Sequence, residues 1–170
     1  MTEAEINKAL DSENYVIKRN AISDPDATPD NIDKALDNDN EFIRKIAIKH
    51  KNATPANIDK ALNIPDKFIR FHAIRNSNAS ESNINKALDD SNDICIRMAA
   101  IENPNATESN IDKALDDSCI EVKLAAMNHQ NASKANKEKA ANDPELIVYL
   151  LSTNHSTTMT LILDTMLSEI

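Results

Sequence analysis

Glycine and tryptophan are both absent from this chain of 170 residues. Without glycine, no turn can use the residue that takes positive φ at no steric cost, and glycine-rich phosphate loops are excluded. Aromatic residues are 3% of the chain against 41% hydrophobic, so the interior must be built from Ile, Leu, Ala and Met. Cysteine occurs twice, at Cys95 and Cys119, in different columns of the repeat described below. Such placement calls for neither a disulfide nor a metal site, and both read as small fillers. Basic charge is in the minority: 28 Asp and Glu face 19 Lys and Arg, a formal net charge of -9. A chain of that sign repels phosphate backbones and anionic lipid, which disfavours nucleic acid and membrane as partners. No run of about 18 apolar residues occurs, and Met1-Thr2-Glu3-Ala4-Glu5 lacks the basic-then-apolar form of a signal peptide. The expectation is a soluble, cytoplasmic protein. Its wealth of Asn, Lys and Ile fits AT-rich coding, viral or bacterial, and a viral source would place it in host-cell cytoplasm.

What is present is a repeat. Asn-Ile-Asp-Lys-Ala-Leu-Asp starts at Asn31 and returns almost unchanged at Asn57, Asn83 and Asn110, 26 residues apart except for one step of 27. A founder copy begins at Glu5 and a decayed copy at Asn136. A fixed short period implies stacked units, because one such unit cannot bury its apolar face alone.

Each unit reads as two short helices. Thr28-Pro29 and Thr54-Pro55 are helix starts, with a capping hydroxyl and proline at the first helical position. Ser80, Thr107 and Ser133 cap without proline, and Thr2 with Glu5 forms a capping box. Ile58, Ala61 and Leu62 fall on one helical face. Asn63-Ile64-Pro65-Asp66 breaks the chain before a second helix with Phe68, Ile69, Ala73 and Ile74 apolar. The second helices end at a column of Asp24, His50, Asn76, Asn103, His129 and His155. These residue types tolerate a left-handed backbone, so the column is expected to replace the missing glycines as C-terminal caps. The reading is a single domain over residues 1–170: an all-α, right-handed α-solenoid of about six repeats, starting near residues 2, 28, 54, 80, 107 and 133. A terminal half-repeat, about 158–170, is expected to cap it, with Leu163, Met166 and Leu167 in register. At roughly 9–10 Å per helical layer the array is expected to be about 60 Å long.

The run Ile96-Arg97-Met98-Ala99-Ala100-Ile101-Glu102-Asn103-Pro104-Asn105-Ala106-Thr107 resembles the leucine-rich repeat variant family. That family's pattern is an acidic turn, Val-Arg, a small apolar stretch, Asn-Pro-Asn and a Thr/Pro helix start. The resemblance covers nearly the whole chain and implies a HEAT-like α-solenoid. The period is longer here than is usual for the family, and nothing matches the iron–sulphur cysteine cluster that the family can carry. The resemblance therefore implies no cofactor.

Stacking converts columns into surface stripes. Lys18, Arg44, Arg70, Arg97 and Lys123 form a basic column; their stems fall between apolar positions, so they are expected to ladder to the acidic turn column Asp11, Asp37, Asp89 and Asp116. Lys8, Lys34, Lys60, Lys86, Lys113 and Lys139 recur on the first helices and are the best candidates for an alternative function, nucleic-acid or phosphate-ligand binding. Acidic neighbours and scarce aromatics favour a solvated face instead. Arg19, Lys45, Phe71, Met98, Leu124 and Leu150 lie roughly opposite the core position Ile43, so the column is expected to be exposed. Phe71, Met98, Leu124 and Leu150 would then form an apolar partner-binding stripe, for another protein or a second copy of the chain. His50, His129 and His155 lack a third ligand and read as caps. Asn31, Asn57, Asn83, Asn110 and Asn136 are expected to form a buried amide ladder that holds repeat register. The Asn52, Asn78, Asn105 and Asn131 glycosylation sequons are by-products of the capping pattern. No nucleophile–base pair, metal cluster or phosphate loop is recognisable, and a HEAT-like base-excision role is disfavoured by the acidic balance and missing Trp. The expected function is a non-enzymatic scaffold for protein–protein interaction, needing no cofactor or metal.

Overall fold

The computed structural model describes residues 1–153; the expected half-repeat at about 158–170 and His155 lie outside them. The described residues form twelve α-helices and no strand. In chain order they are α1 Glu3–Leu10, α2 Tyr15–Ile22, α3 Pro29–Leu36, α4 Glu41–Ile48, α5 Pro55–Leu62, α6 Lys67–Ile74, α7 Glu81–Leu88, α8 Ile94–Ile101, α9 Glu108–Ala114, α10 Ile120–Met127, α11 Lys134–Ala141 and α12 Pro144–Ser152. Helices this short are marginal alone, so caps and packing must supply their stability.

Every first helix has a capping box, in which a Thr or Ser side chain accepts from the third helical N–H and that residue's side chain accepts from the cap N–H. Glu5 plays the third-position part in α1, and Asn plays it in the others. Each cap is worth roughly 0.5–2 kcal/mol. Second helices use Asn14, Asn40, Asp66, Asp93 and Asp143 as caps. The cap position of α10 is Cys119, which makes no such bond.

First helices pack on first helices (α1 on α3, α3 on α5, α5 on α7, α7 on α9, α9 on α11), and second helices likewise on second helices from α2 to α12. Ile32, Ile58, Ile84 and Ile111 from the first layer meet Ile43, Ile69, Ile96 and Val122 from the second in one continuous core. Burying each such side chain contributes about 1.5–3 kcal/mol. Ala27, Ala53, Ala79 and Ala106 are buried in the turns, where only a methyl fits between layers. The core thins in α11, where Lys137 stands in place of the buried Ile111.

The chain dispenses with glycine in a way the sequence did not announce. The residues capping the C-termini of the second helices keep right-handed φ: -84° at Ser23, -83° at Lys49, -82° at Arg75, -76° at Glu102 and -89° at Asn128. The column after them works through its side chains. Asp24, His50, Asn76, Asn103 and His129 each accept from the N–H two residues on, which turns the chain. Four of them also reach back one unit. Asn76 Nδ2 donates to the Ile48 carbonyl at 2.8 Å and Asn103 Nδ2 to that of Ile74 at 2.6 Å. In His50 and His129 the Nδ1 atom accepts, so Nε2 carries the proton and donates to the carbonyls of Asp24 and Asn103.

Two further ladders run beside this one. Asn31, Asn57, Asn83, Asn110 and Asn136 are buried, and each Nδ2 donates to the carbonyl of the first residue in the preceding first helix, from Glu3 to Glu108. This is the amide ladder expected from the repeat. Asn52, Asn78, Asn105 and Asn131, the sequon residues, each donate to two carbonyls in the preceding turn. Their amides are structural, which explains why the pattern recurs.

The last helix pair departs from the period. Two residues, Asn142 and Asp143, separate α11 from α12, where four separate α3 from α4. The second-helix caps Cys119 and Asp143 are therefore 24 residues apart. Leu150 consequently takes the core place of Ala126, and Val148 takes the surface place of Leu124.

Candidate functional site

The basic column on the second helices is engaged within the fold. Arg97 Nε donates to Asp117 at 2.7 Å and its Nη1 to the Asp90 carbonyl at 2.9 Å. Arg70 repeats this with Asp90 and the carbonyls of Ile64 and Pro65, and Lys123 reaches Asp143 and Glu145. The acids concerned stand 20 residues on from each cation. They are not the Asp11, Asp37, Asp89 and Asp116 column expected from the sequence, because the helix carries each guanidinium toward the next turn rather than its own. The Asp117 bond holds Arg97 above its ordinary pKa, and the Asp143 bond does the same for Lys123. Lys18 and Arg44 are the exceptions: Asn38 stands where Lys18 would find its acid, and among the described residues Lys18 meets no carboxylate. For Arg44, Ile64 occupies the place of the acid, and the buried Arg44 Nε has no partner. Its terminal nitrogens contact the Asn38 and Asp39 carbonyls, and Asp66 at 3.8 Å.

The first-helix lysines take up the acids the arginines leave. Lys34 reaches Asp11, Lys60 reaches Asp33 and Asp37, Lys86 reaches Asp59, Lys113 reaches Asp89, and Lys139 reaches Asp112 and Asp116. Burial alone would lower the pKa of Lys60 and Lys139, but their aspartate bonds outweigh it and raise both. Lys8, with no preceding unit, pairs with no carboxylate among the described residues.

The expected apolar stripe is placed unevenly. Phe71, Met98 and Leu124 are half-buried and packed against the core. Leu150 is 1% exposed, so it is core and not surface, for the register reason given above. The column's true end is Val148, 65% exposed. The sequence reading missed the apolar residues one turn earlier on the same helical face: Phe42 at 56%, Phe68 at 63% and Ile94 at 50% exposed, with Ile120 half-buried. A helical projection of the second helices alone, anchored on their caps, puts the first two positions beside the fifth and would have found them.

These residues line shallow recesses. Phe42 and Phe68 flank one, with Lys45 and Glu41 at its edge. A wider groove of about 890 Å³ includes Ile94, Ile120, Pro144 and Val148, with Glu121 and Glu145 beside them. Cys95 is exposed and Cys119 half-buried; both are free, and the Cys119 thiol donates to Glu121. Among the described residues no three His, Cys, Asp or Glu side chains gather as metal ligands, and no helix is long and apolar enough to cross a membrane.

No family model matches the chain, and no curated protein matches it significantly.

Proposed function

We propose that this chain is a non-enzymatic repeat scaffold that binds another protein, or a second copy of itself, through the outer face of its second helices. The observation that carries the reading is the set of exposed Phe42, Phe68, Ile94 and Val148 on the outer face of α4, α6, α8 and α12, flanked on α6, α8 and α10 by half-buried Phe71, Met98 and Leu124. Exposed apolar side chains at the first, second or fifth position of the second helices, on one face, make a surface wider than scattered residues, as interaction faces do. The like-on-like packing of the two helix layers supports a right-handed α-solenoid of about six repeats, akin to the leucine-rich repeat variant and HEAT-like families. Phosphate or nucleic-acid binding through Lys8, Lys34, Lys60, Lys86, Lys113 and Lys139 is the weaker reading, because all but Lys8 already hold carboxylates.

The test compares wild type with the Phe68→Glu/Ile94→Glu/Val148→Glu variant. Light scattering behind a sizing column, over a concentration series, reports self-association; affinity capture from lysate reports other partners. Loss of association or of captured proteins, with helicity retained, supports the reading. An unchanged oligomeric state and an unchanged captured set would sink it.

A further inference from the structure

The C-terminal ends of α4 and α6 enclose an open recess of about 460 Å³, lined by Lys49, Lys51, His72 and Arg75 with Asn76 and Ser77. Lys45, one turn before Lys49 on α4, adds its charge to the field at His72. No acid lines the recess. Among the described residues Lys45, Lys49 and Lys51 pair with no carboxylate, and the half-buried His72 ring has no hydrogen-bond partner. Arg75 lies over the Phe71 ring at 5.4 Å and meets one carboxylate, Glu102, at an exposed 3.7 Å. Three cations without a carboxylate and a fourth with one distant, exposed carboxylate gather here in a chain of net charge -9.

The repeat supplies its own control. Cations that hold the units together recur down their columns and are paired. Lys49 and Arg75 are successive members of one column whose other members are Ser23, Glu102 and Asn128, while Lys51 and His72 recur nowhere: the counterparts of Lys51 are Pro25, Ser77, Pro104 and Gln130, and those of His72 from α2 to α10 are Asn20, Ile46, Ala99 and Ala125. Compensation of the helix macrodipole accounts for a cation at Lys49 or Arg75. It does not account for Lys51, beyond the helix end, or for an imidazole without a hydrogen bond.

We propose that this recess binds a phosphate monoester dianion, held by Lys49, Lys51 and Arg75, with Lys45 adding field and His72 a hydrogen bond. A carboxylate would offset only one of four cations, whereas a dianion offsets two and presents oxygens to both ammonium points and the guanidinium fork. Burial first, and then the charges of Lys45, Lys49 and Arg75, hold His72 below its ordinary pKa. An arriving dianion reverses the effect of those charges, so at a pH where the phosphate stays dianionic its binding raises the His72 pKa. The titratable and charged groups facing His72 are Lys45 and Lys49 from α4 and Arg75 from its own helix, with Glu102 at the end of α8 opposing them through Arg75. The phosphate has two possible sources, a phosphorylated side chain of a protein or a free small ester. The site does not rest on the apolar band being an interface.

The experiment follows the ring-proton NMR signals of the four histidines in the full chain, with His72 assigned by its loss in His72→Gln. At pH 7.5 and constant ionic strength the protein is titrated with inorganic phosphate, with chloride, and with a short neutral peptide with and without phosphoserine. Binding predicts a saturable phosphate-specific shift of His72 and an upward move of its titration midpoint. Lys49→Gln/Arg75→Gln, both exposed, should weaken that response at least about tenfold without changing helicity. A phosphopeptide much tighter than inorganic phosphate identifies a protein-borne source; equal affinity identifies the free ester. A chloride response equal to that of phosphate, persistence in the double variant, or peptide binding indifferent to phosphorylation would overturn the proposal.

Discussion

The first helices repeat their side chains almost without change, whereas the second helices keep only their buried positions and vary the rest. Asn-Ile-Asp-Lys-Ala-Leu survives in α3, α5 and α9 because nearly every polar group in it is used. The asparagine closes the cap and bonds the preceding unit, the lysine collects that unit's carboxylates, and Ile, Ala and Leu are buried. On the second helices the positions equivalent to Phe42 and Lys45 carry unlike side chains from unit to unit, exposed at Phe42 and Phe68 and half-buried at Phe71, Met98 and Leu124. In a repeated chain, constancy marks what neighbouring units need, and variation marks surface free to serve something else.

The largest effect should come from breaking the constant side. Asn110→Leu strands the Thr107 N–H and the Glu81 carbonyl while burying two more carbons. The expected loss is about 2–4 kcal/mol, read from the urea midpoint. A change under about 0.5 kcal/mol would show that the ladder is incidental. Arg97→Met should cost about 1–3 kcal/mol, since it leaves the nearly buried Asp117 charge unpaired.

Arg44 offers the converse. Ile64→Asp would place a carboxylate where Asp90 serves Arg70, giving Arg44 Nε a partner at the expense of some apolar contact. A double-mutant cycle with Arg44→Met should return a favourable coupling of about 1–3 kcal/mol. No coupling would mean that the ladder acids act independently of the basic column.

The Asp143–Lys123 pair makes a pH prediction. Burial alone would raise Asp143, but its bonds to Lys123 and to backbone N–H groups outweigh this and lower its pKa from the ordinary 3.8. A depressed carboxylate stabilises the fold above its unfolded pKa and loses that contribution as pH falls through the folded value. Acid should therefore destabilise wild type more than Asp143→Asn below about pH 4, measured by melting temperature. Parallel acid curves would remove the pair from the account. The smallest effect belongs to the variable side: Phe68→Glu should move stability by under about 0.5 kcal/mol, with the urea midpoint as the check.

Periodicity made much of this legible. Ile58, Ala61 and Leu62 declared a buried face, Thr54-Pro55 a helix start, and the recurring Asn57 a ladder, because each is a local rule that chain spacing displays. The misread features depend on distances between units. Arg97 could have met Asp89 or Asp116 by column arithmetic alone; it meets Asp117 because packing brings that turn across. Leu150 was assigned to the surface by counting a constant period, and a turn shortened at Asn142 and Asp143 moved it into the core.

By itself the sequence determined an all-helical chain, its helix starts, its buried aliphatic face and its inter-unit amides, since caps and helical spacing act within a few residues. Only the tertiary structure decided which acid each cation meets, that Phe42, Phe68, Ile94 and Val148 share an exposed face, and that Lys49, Lys51, His72 and Arg75 converge. Those facts depend on how one helix pair is set against the next, a geometry that no local rule contains.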